Sequence, residues 1–200
     1  MVLGISGVAG SGKDTFFSIL SAKIDCKRYS LADELKREVQ PWCMEHYDID
    51  SFDCSRKEKE IIRPFLVFHG LQKRNATNGR YWIEKISNKI LNSKENNKII
   101  TDIRFDDYEN DEVSWLKNEL GGVLVHISQF STPPPSRWSS LSVEKEYKEP
   151  ANSEEARNNP KLKEKADFLI EWPILESTQD IEEELSPYVD EFIAWQPLLK

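Results

Sequence analysis

Gly7-Val8-Ala9-Gly10-Ser11-Gly12-Lys13-Asp14-Thr15 is the stretch on which the fold reading turns. It fits G-x-x-x-x-G-K, and its neighbours supply the setting that gives this pattern a mechanism. Upstream, Val2 to Ser6 is short and apolar, as a buried strand is. Downstream, Phe16, Ile19, Leu20 and Ile24 recur at helical spacing, so a helix over Asp14 to Ile24 follows the turn directly. Glycines at a strand-to-helix turn let backbone N–H groups converge on phosphate oxygens, and the helix N-terminus adds partial positive charge. Gly10, Ser11, Gly12, Lys13, Asp14 and Thr15 are therefore the candidate nucleotide-binding residues, with Lys13 reaching the β- and γ-phosphates. The residue after the lysine is Asp14, which moves the magnesium-ligating hydroxyl to Thr15. Asp14 then either holds a magnesium-bound water or caps the helix.

Working outward, helical periodicity predicts a second helix from Ala32 to about His46, with Pro41 as an end or a kink. Two more follow, from Arg56 to Gly70 and from Arg80 to Leu91, separated by the turn-rich Asn75-Ala76-Thr77-Asn78-Gly79. Lys98 to Asp102 reads as a strand with a polar end at Asp102-Ile103-Arg104. Asp107 to Leu120 reads as a helix stopped by Gly121-Gly122, and Val123 to Ile127 as another strand. From Ser128 to Lys165 the pattern breaks into a polar, charged segment with Pro133-Pro134-Pro135, read as a lid-like loop. Ala166 to Glu171 resumes a strand, and Thr178 to Leu185 forms an acidic helix with a solvated face. This alternation predicts an α/β protein of three layers, α/β/α, around a mostly parallel sheet of about five strands. Residues 1–200 form one domain, with a helical substrate-binding insertion near 33–95 and the lid-like region at 128–165. In such sheets ligands bind beyond the carboxyl ends of the strands, so the glycine-rich turn, Asp102 and Arg104 should face one crevice.

Composition sets bounds. A hydrophobic fraction of 38% over 200 residues supports one core, and a net charge of -8 argues against a role built on neutralising polymeric nucleic acid. No stretch reaches the roughly 18 to 20 apolar residues of a membrane span, and no signal segment precedes the first strand, so a cytoplasmic protein is expected. Cys26, Cys43 and Cys54 form no C-x-x-C pair and read as reduced thiols. His46, His69 and His126 are too far apart for a transition-metal hydrolase. N-K-x-D of the guanine switches is absent, because Asn88-Lys89-Ile90-Leu91 and Asn97-Lys98-Ile99-Ile100 lack the aspartate. Trp195 and nearby apolar residues serve either a homodimer contact or closure of the core.

Within this acidic chain, Lys36, Arg63, Lys73, Arg74, Arg80 and Arg104 are candidate phosphate partners, since arginine's planar fork suits a two-point grip on a phosphate. Arg137 and Arg157 are candidate lid arginines. The G-K-x-T ending resembles the adenylate-kinase-like branch of P-loop proteins. The order and spacing of several blocks further resemble the bacteriophage-type deoxynucleoside monophosphate kinases. These blocks are Gly7 to Thr15, Leu31-Ala32-Asp33-Glu34-Leu35-Lys36, Arg63 with Gly70, Arg74, Tyr81-Trp82, and Thr101-Asp102-Ile103-Arg104-Phe105.

That resemblance implies a P-loop kinase using ATP and Mg2+ on a deoxynucleoside monophosphate, with Lys13, Asp102 and Arg104 as catalytic residues. By the same resemblance Lys36, Arg63, Gly70, Arg74, Trp82, Asp102, Arg104 and Glu109 line the monophosphate site, with Glu109 standing for the family's N-E pair after D-x-R-F. The family's late histidine-serine-glutamate block is reduced to Leu141-Ser142-Val143-Glu144. Kinases of dephospho-coenzyme A or phosphomevalonate share the same two strand-end features, and an ATP-dependent binding module is the non-enzymatic alternative.

Overall fold

A computed structural model describes residues 1–131, 145–175 and 180–197. Its centre is a six-stranded sheet formed by β1 (Val2–Ser6), β2 (Lys27–Tyr29), β3 (Lys98–Ile100), β4 (Val123–Ser131), β5 (Glu146–Tyr147) and β6 (Phe168–Pro173). β2, β3, β1, β4 and β6 lie side by side and run parallel, while β5 pairs antiparallel with the last residues of β4, Phe130 opposite Tyr147. The expected mostly parallel sheet is thus present. Two of its strands carry too little pattern to have been read from apolar runs. β2 has three residues, only Tyr29 of them buried, and β5 has two exposed ones.

The helices are α1 (Lys13–Lys23), α2 (Leu31–Tyr47), α3 (Arg56–Ala76), α4 (Arg80–Leu91), the short α5 (Glu112–Ser114), α6 (Ser153–Lys165) and α7 (Ile181–Trp195). Each face of the sheet carries its own apolar cluster, because alternate strand residues point opposite ways. Leu3, Ile5, Val125, Ile127 and Trp172 meet Phe16 and Leu20 of α1 and Val189 and Phe192 of α7. On the other face Ile100, Ile103 and Leu124 meet Ile83, Ile86 and Ile90 of α4, Trp115, Leu116 and Leu162 of α6. A smaller cluster of Val39, Cys43, Ile49 and Ile62 joins α2 to α3. Trp195 lies tilted against Phe168, 5.0 Å between ring centroids, and remains exposed. No helix among the described residues is long and apolar enough to cross a membrane. The three cysteines are free thiols.

Several boundaries differ from the sequence expectation, each for a local reason. α2 runs through Pro41 to Tyr47; Pro41 is exposed, so the carbonyl that loses its intrahelical donor is left to water. α3 opens on a reciprocal capping box between Ser55 and Glu58 and extends to Ala76 before the turn at Asn78 and Gly79, both at positive φ. The helix expected over 107–120 starts only at Asp111, whose side chain caps it, and after Ser114 continues as a π-helical turn, Trp115–Glu119. The largest correction concerns the lid-like loop. Residues 153–165 form α6, capped by the Asn152 side chain accepting from Glu155 N at 2.9 Å. Only Asn158 and Leu162 of α6 are buried, so no apolar stripe announced it. Arg137 and Leu141 to Glu144 lie outside the described residues.

Candidate active site

The turn between β1 and α1 is shaped by glycine. Gly7 (φ 140°) and Gly12 (φ 91°) occupy backbone space closed to other residues. A Cβ on Gly7 would fall 2.3 Å from the Ile127 carbonyl oxygen, and one on Gly12 would fall 2.5 Å from the Trp172 ring. Trp172 is fully buried, and its Nε1 donates to the Ser11 carbonyl at 2.9 Å. β6 therefore walls the turn from one side. Lys13 Nζ lies against the Gly7 and Val8 carbonyls, at 2.7 and 2.8 Å. Burial, then the nearby Arg104 charge, lowers its pKa to about 8. Ile103 N donates to the Ile5 carbonyl at 3.0 Å and Glu155 of α6 accepts from Ala9 N at 3.2 Å, so the end of β3 and the start of α6 both lie beside the glycine turn.

A polyphosphate and magnesium fit this arrangement. The turn presents backbone N–H groups at the start of α1, with no Cβ at three of its positions to intrude. Asp14 is exposed, and neither its carboxylate nor the Thr15 hydroxyl hydrogen-bonds another described side chain. Among the described residues no cluster of three or more His, Cys, Asp or Glu could hold a metal by itself. A magnesium ion here would rest on Thr15 or Asp14 together with phosphate oxygens and water.

The acceptor-side candidates separate into free and committed groups. Arg104 and Arg63 are exposed, and neither forms an ion pair among the described residues. Lys36 is half-buried, with Nζ 5.3 Å from the Phe52 ring centroid. Arg74 is placed differently from the sequence expectation. It is 3% exposed, grips both carboxylate oxygens of Asp111 (Nη1 to Oδ1 at 2.6 Å) and lies 4.0 Å from the Phe105 ring centroid. This guanidinium is enclosed by its own partners.

Arg80 is likewise paired with Glu119, and Arg157 of α6 with Asp107 and Glu154. Trp82 belongs to the core, its Nε1 donating to the Gly70 carbonyl at 3.1 Å; Gly70 itself permits close approach of Leu35. Glu109 is exposed and lines an open depression with Thr77, Asn78, Arg80, Tyr108 and Glu119. Asp102 is buried and acts as a cap for α2: its oxygens accept from Ser30 Oγ, Leu31 N and Ala32 N at 2.8 to 2.9 Å.

Sequence reasoning missed several residues at the crevice. The Glu112 side chain accepts from the backbone N–H of Arg104 at 2.7 Å and of Phe105 at 3.1 Å. Asp111-Glu112 ahead of an apolar run is a helix-start signal, but it does not mark Glu112 as the partner of a backbone turn. Glu155 Oε2 accepts from Ala9 N at 3.2 Å, and Lys148 Nζ donates to the Gly10 carbonyl at 3.0 Å. Asn158, fully buried, holds the Asp106 amide at 3.0 Å. Asp107 gathers Arg157, Lys161 and Asn158; burial alone would raise its pKa, but these donors hold it well below the usual carboxylate range.

Two further titratable groups tie elements of the fold together. His126 Nδ1 lies 3.0 Å from Ser6 Oγ, and burial foremost lowers its pKa to about 4, so it is neutral near pH 7. Glu38 joins three helices by contacting His69, Tyr81 and Lys85. Its desolvation is outweighed by those contacts, which bring its pKa to about 2.

Comparison with solved structures finds a dephospho-CoA kinase from Campylobacter jejuni, 18% identical, with 96% of each chain covered and a TM-score of 0.43. No family model and no curated protein matches the chain.

Proposed function

We propose that this chain is an ATP-dependent kinase that transfers the γ-phosphoryl group to the phosphate of a deoxynucleoside monophosphate, giving a deoxynucleoside diphosphate and ADP. The observation that carries the reading is the glycine-walled turn bearing Lys13, with Arg104 exposed beyond the end of the neighbouring strand β3 and without an ion pair among the described residues. An acceptor phosphate is already anionic near neutral pH, so the reaction needs alignment and charge stabilisation more than a general base. The turn amides and Lys13 would hold the donor's β- and γ-phosphoryl oxygens and offset the charge that develops on them. Magnesium, held by Thr15 or Asp14, would supply further neutralisation of the same oxygens. Arg104, with Arg63 and Lys36, would hold the acceptor and reduce repulsion between two polyanions. Asp102 would act through the start of α2 rather than on the phosphates.

The test is ADP release with ATP and magnesium against each common nucleoside and deoxynucleoside monophosphate, dephospho-coenzyme A and phosphomevalonate. Turnover with deoxynucleotides and none with the last two is expected. Turnover confined to dephospho-coenzyme A or phosphomevalonate would replace the substrate, and slow hydrolysis indifferent to every acceptor would replace the kinase reading.

A further inference from the structure

Arg104 carries no side-chain partner among the described residues, so what fixes its place beyond β3 is the backbone that sets its Cα–Cβ direction. That backbone is held from below. Glu112, 5% exposed, receives the Arg104 and Phe105 amides on one oxygen, Oε2. Burying a carboxyl group is costly unless its hydrogen bonds are made, and two backbone donors at one turn are a specific use of that capacity.

The start of α5 is built to deliver it. Asp111, next in the chain, holds Arg74 and the amides of Asp107 and Tyr108, which fixes the other half of the same turn. After Ser114 the helix widens into the π turn, with Leu120 N bonding back to the Trp115 carbonyl at 3.0 Å. Trp115 and Leu116 are buried in the core at this turn, and Glu112 is buried under the 104–105 backbone.

We infer that Glu112 is a positioning residue for Arg104, clamping the 104–105 backbone so that the guanidinium faces the acceptor phosphate. The clamp also leaves the arginine's charge intact. Burial foremost raises the Glu112 pKa to about 8 against the opposing pull of Arg74, with Asp111 and Asp102 adding to the rise. The neutral form that burial favours binds the amides without competing with phosphate for the guanidinium.

This inference rests on the proposed kinase reading, and its test separates the two. KM for acceptor and for ATP would be measured in Arg104→Ala, Glu112→Met, Glu112→Gln and the double variant Arg104→Ala/Glu112→Met. Glu112→Met keeps the volume and removes the acceptor oxygens, so the acceptor KM should rise about tenfold while the ATP KM stays within about twofold. Glu112→Gln, which keeps an oxygen for the amides, should remain within about twofold of wild type. The double variant should be no worse than Arg104→Ala, because the clamp acts only through that side chain. Equal losses for both ligands, or losses that multiply in the double variant, would overturn the inference. An unchanged acceptor KM in Arg104→Ala would instead sink the acceptor placement of the proposed function.

If Glu112→Met does not fold, or if no transfer is found, hydrogen exchange in the wild-type protein decides. Arg104 and Phe105 amides exchanging as slowly as that of Ile103 support the clamp, and exchange as fast as at Glu109 removes it.

Discussion

Around Gly7 to Thr15 the ammonium of Lys13 meets only backbone carbonyls, whereas beyond β3 the guanidinium of Arg74 is enclosed by Asp111, Asp107 and two aromatic rings. Both cations are withdrawn from bulk water. The first has no carboxylate in contact among the described residues, and desolvation leaves it ready for an anion. The second has been supplied with its anion by the chain, and desolvation makes the pair structural. A positive residue in an acidic protein is thus a ligand candidate only when the fold has not already assigned it a partner.

The strongest way to break this contrast is to remove Arg74. Truncation to alanine would leave the buried Asp111 carboxylate uncompensated, and a loss of about 3–5 kcal/mol in folding stability is expected by urea denaturation. A stable Arg74→Ala protein that had lost only acceptor binding would invert the assignment. On the donor side, Lys13→Ala should lower turnover on the order of 10²–10³-fold with little change in melting temperature. Arg104→Ala should cost about 10- to 100-fold, confined to the acceptor; calorimetry with each ligand checks the separation.

The mildest probe is pH. Because burial and Arg104 lower the Lys13 pKa to about 8, the free protein loses this ammonium as pH rises past that value. A bound polyphosphate favours the charged form and draws the pKa back up. ATP affinity should therefore hold steady below pH 8 and weaken above it, by at most about tenfold per pH unit, with proton uptake on binding. Calorimetry in buffers of different ionisation enthalpy would detect the uptake; affinity constant to pH 9.5 would contradict it.

What could be read beforehand follows the same division. The glycine turn, α1, α4, β1 and β4 were legible because backbone geometry and apolar periodicity act locally. Asp102 and Arg104 were correctly placed at a strand end, but the capping of α2 by Asp102 depends on residues some seventy positions away in the chain. Arg74 could not be told from Arg63 on paper, since only the long-range pairing with Asp111 separates them. α6 was illegible because it docks through Asn158, Arg157 and Lys161 on Asp106 and Asp107, contacts that leave no apolar stripe. Glu112 escaped notice because a glutamate under a backbone turn looks, in sequence, like any solvated helix start.

Trp172 has a consequence for the order of synthesis. Residues 7–15 leave the ribosome well before residue 172, yet the indole that seats Gly12 and bonds the Ser11 carbonyl belongs to β6. A nascent chain halted before β6 would carry the whole glycine motif without the wall that shapes it. Any competence of this turn for an anion should thus appear only once β6 is in place.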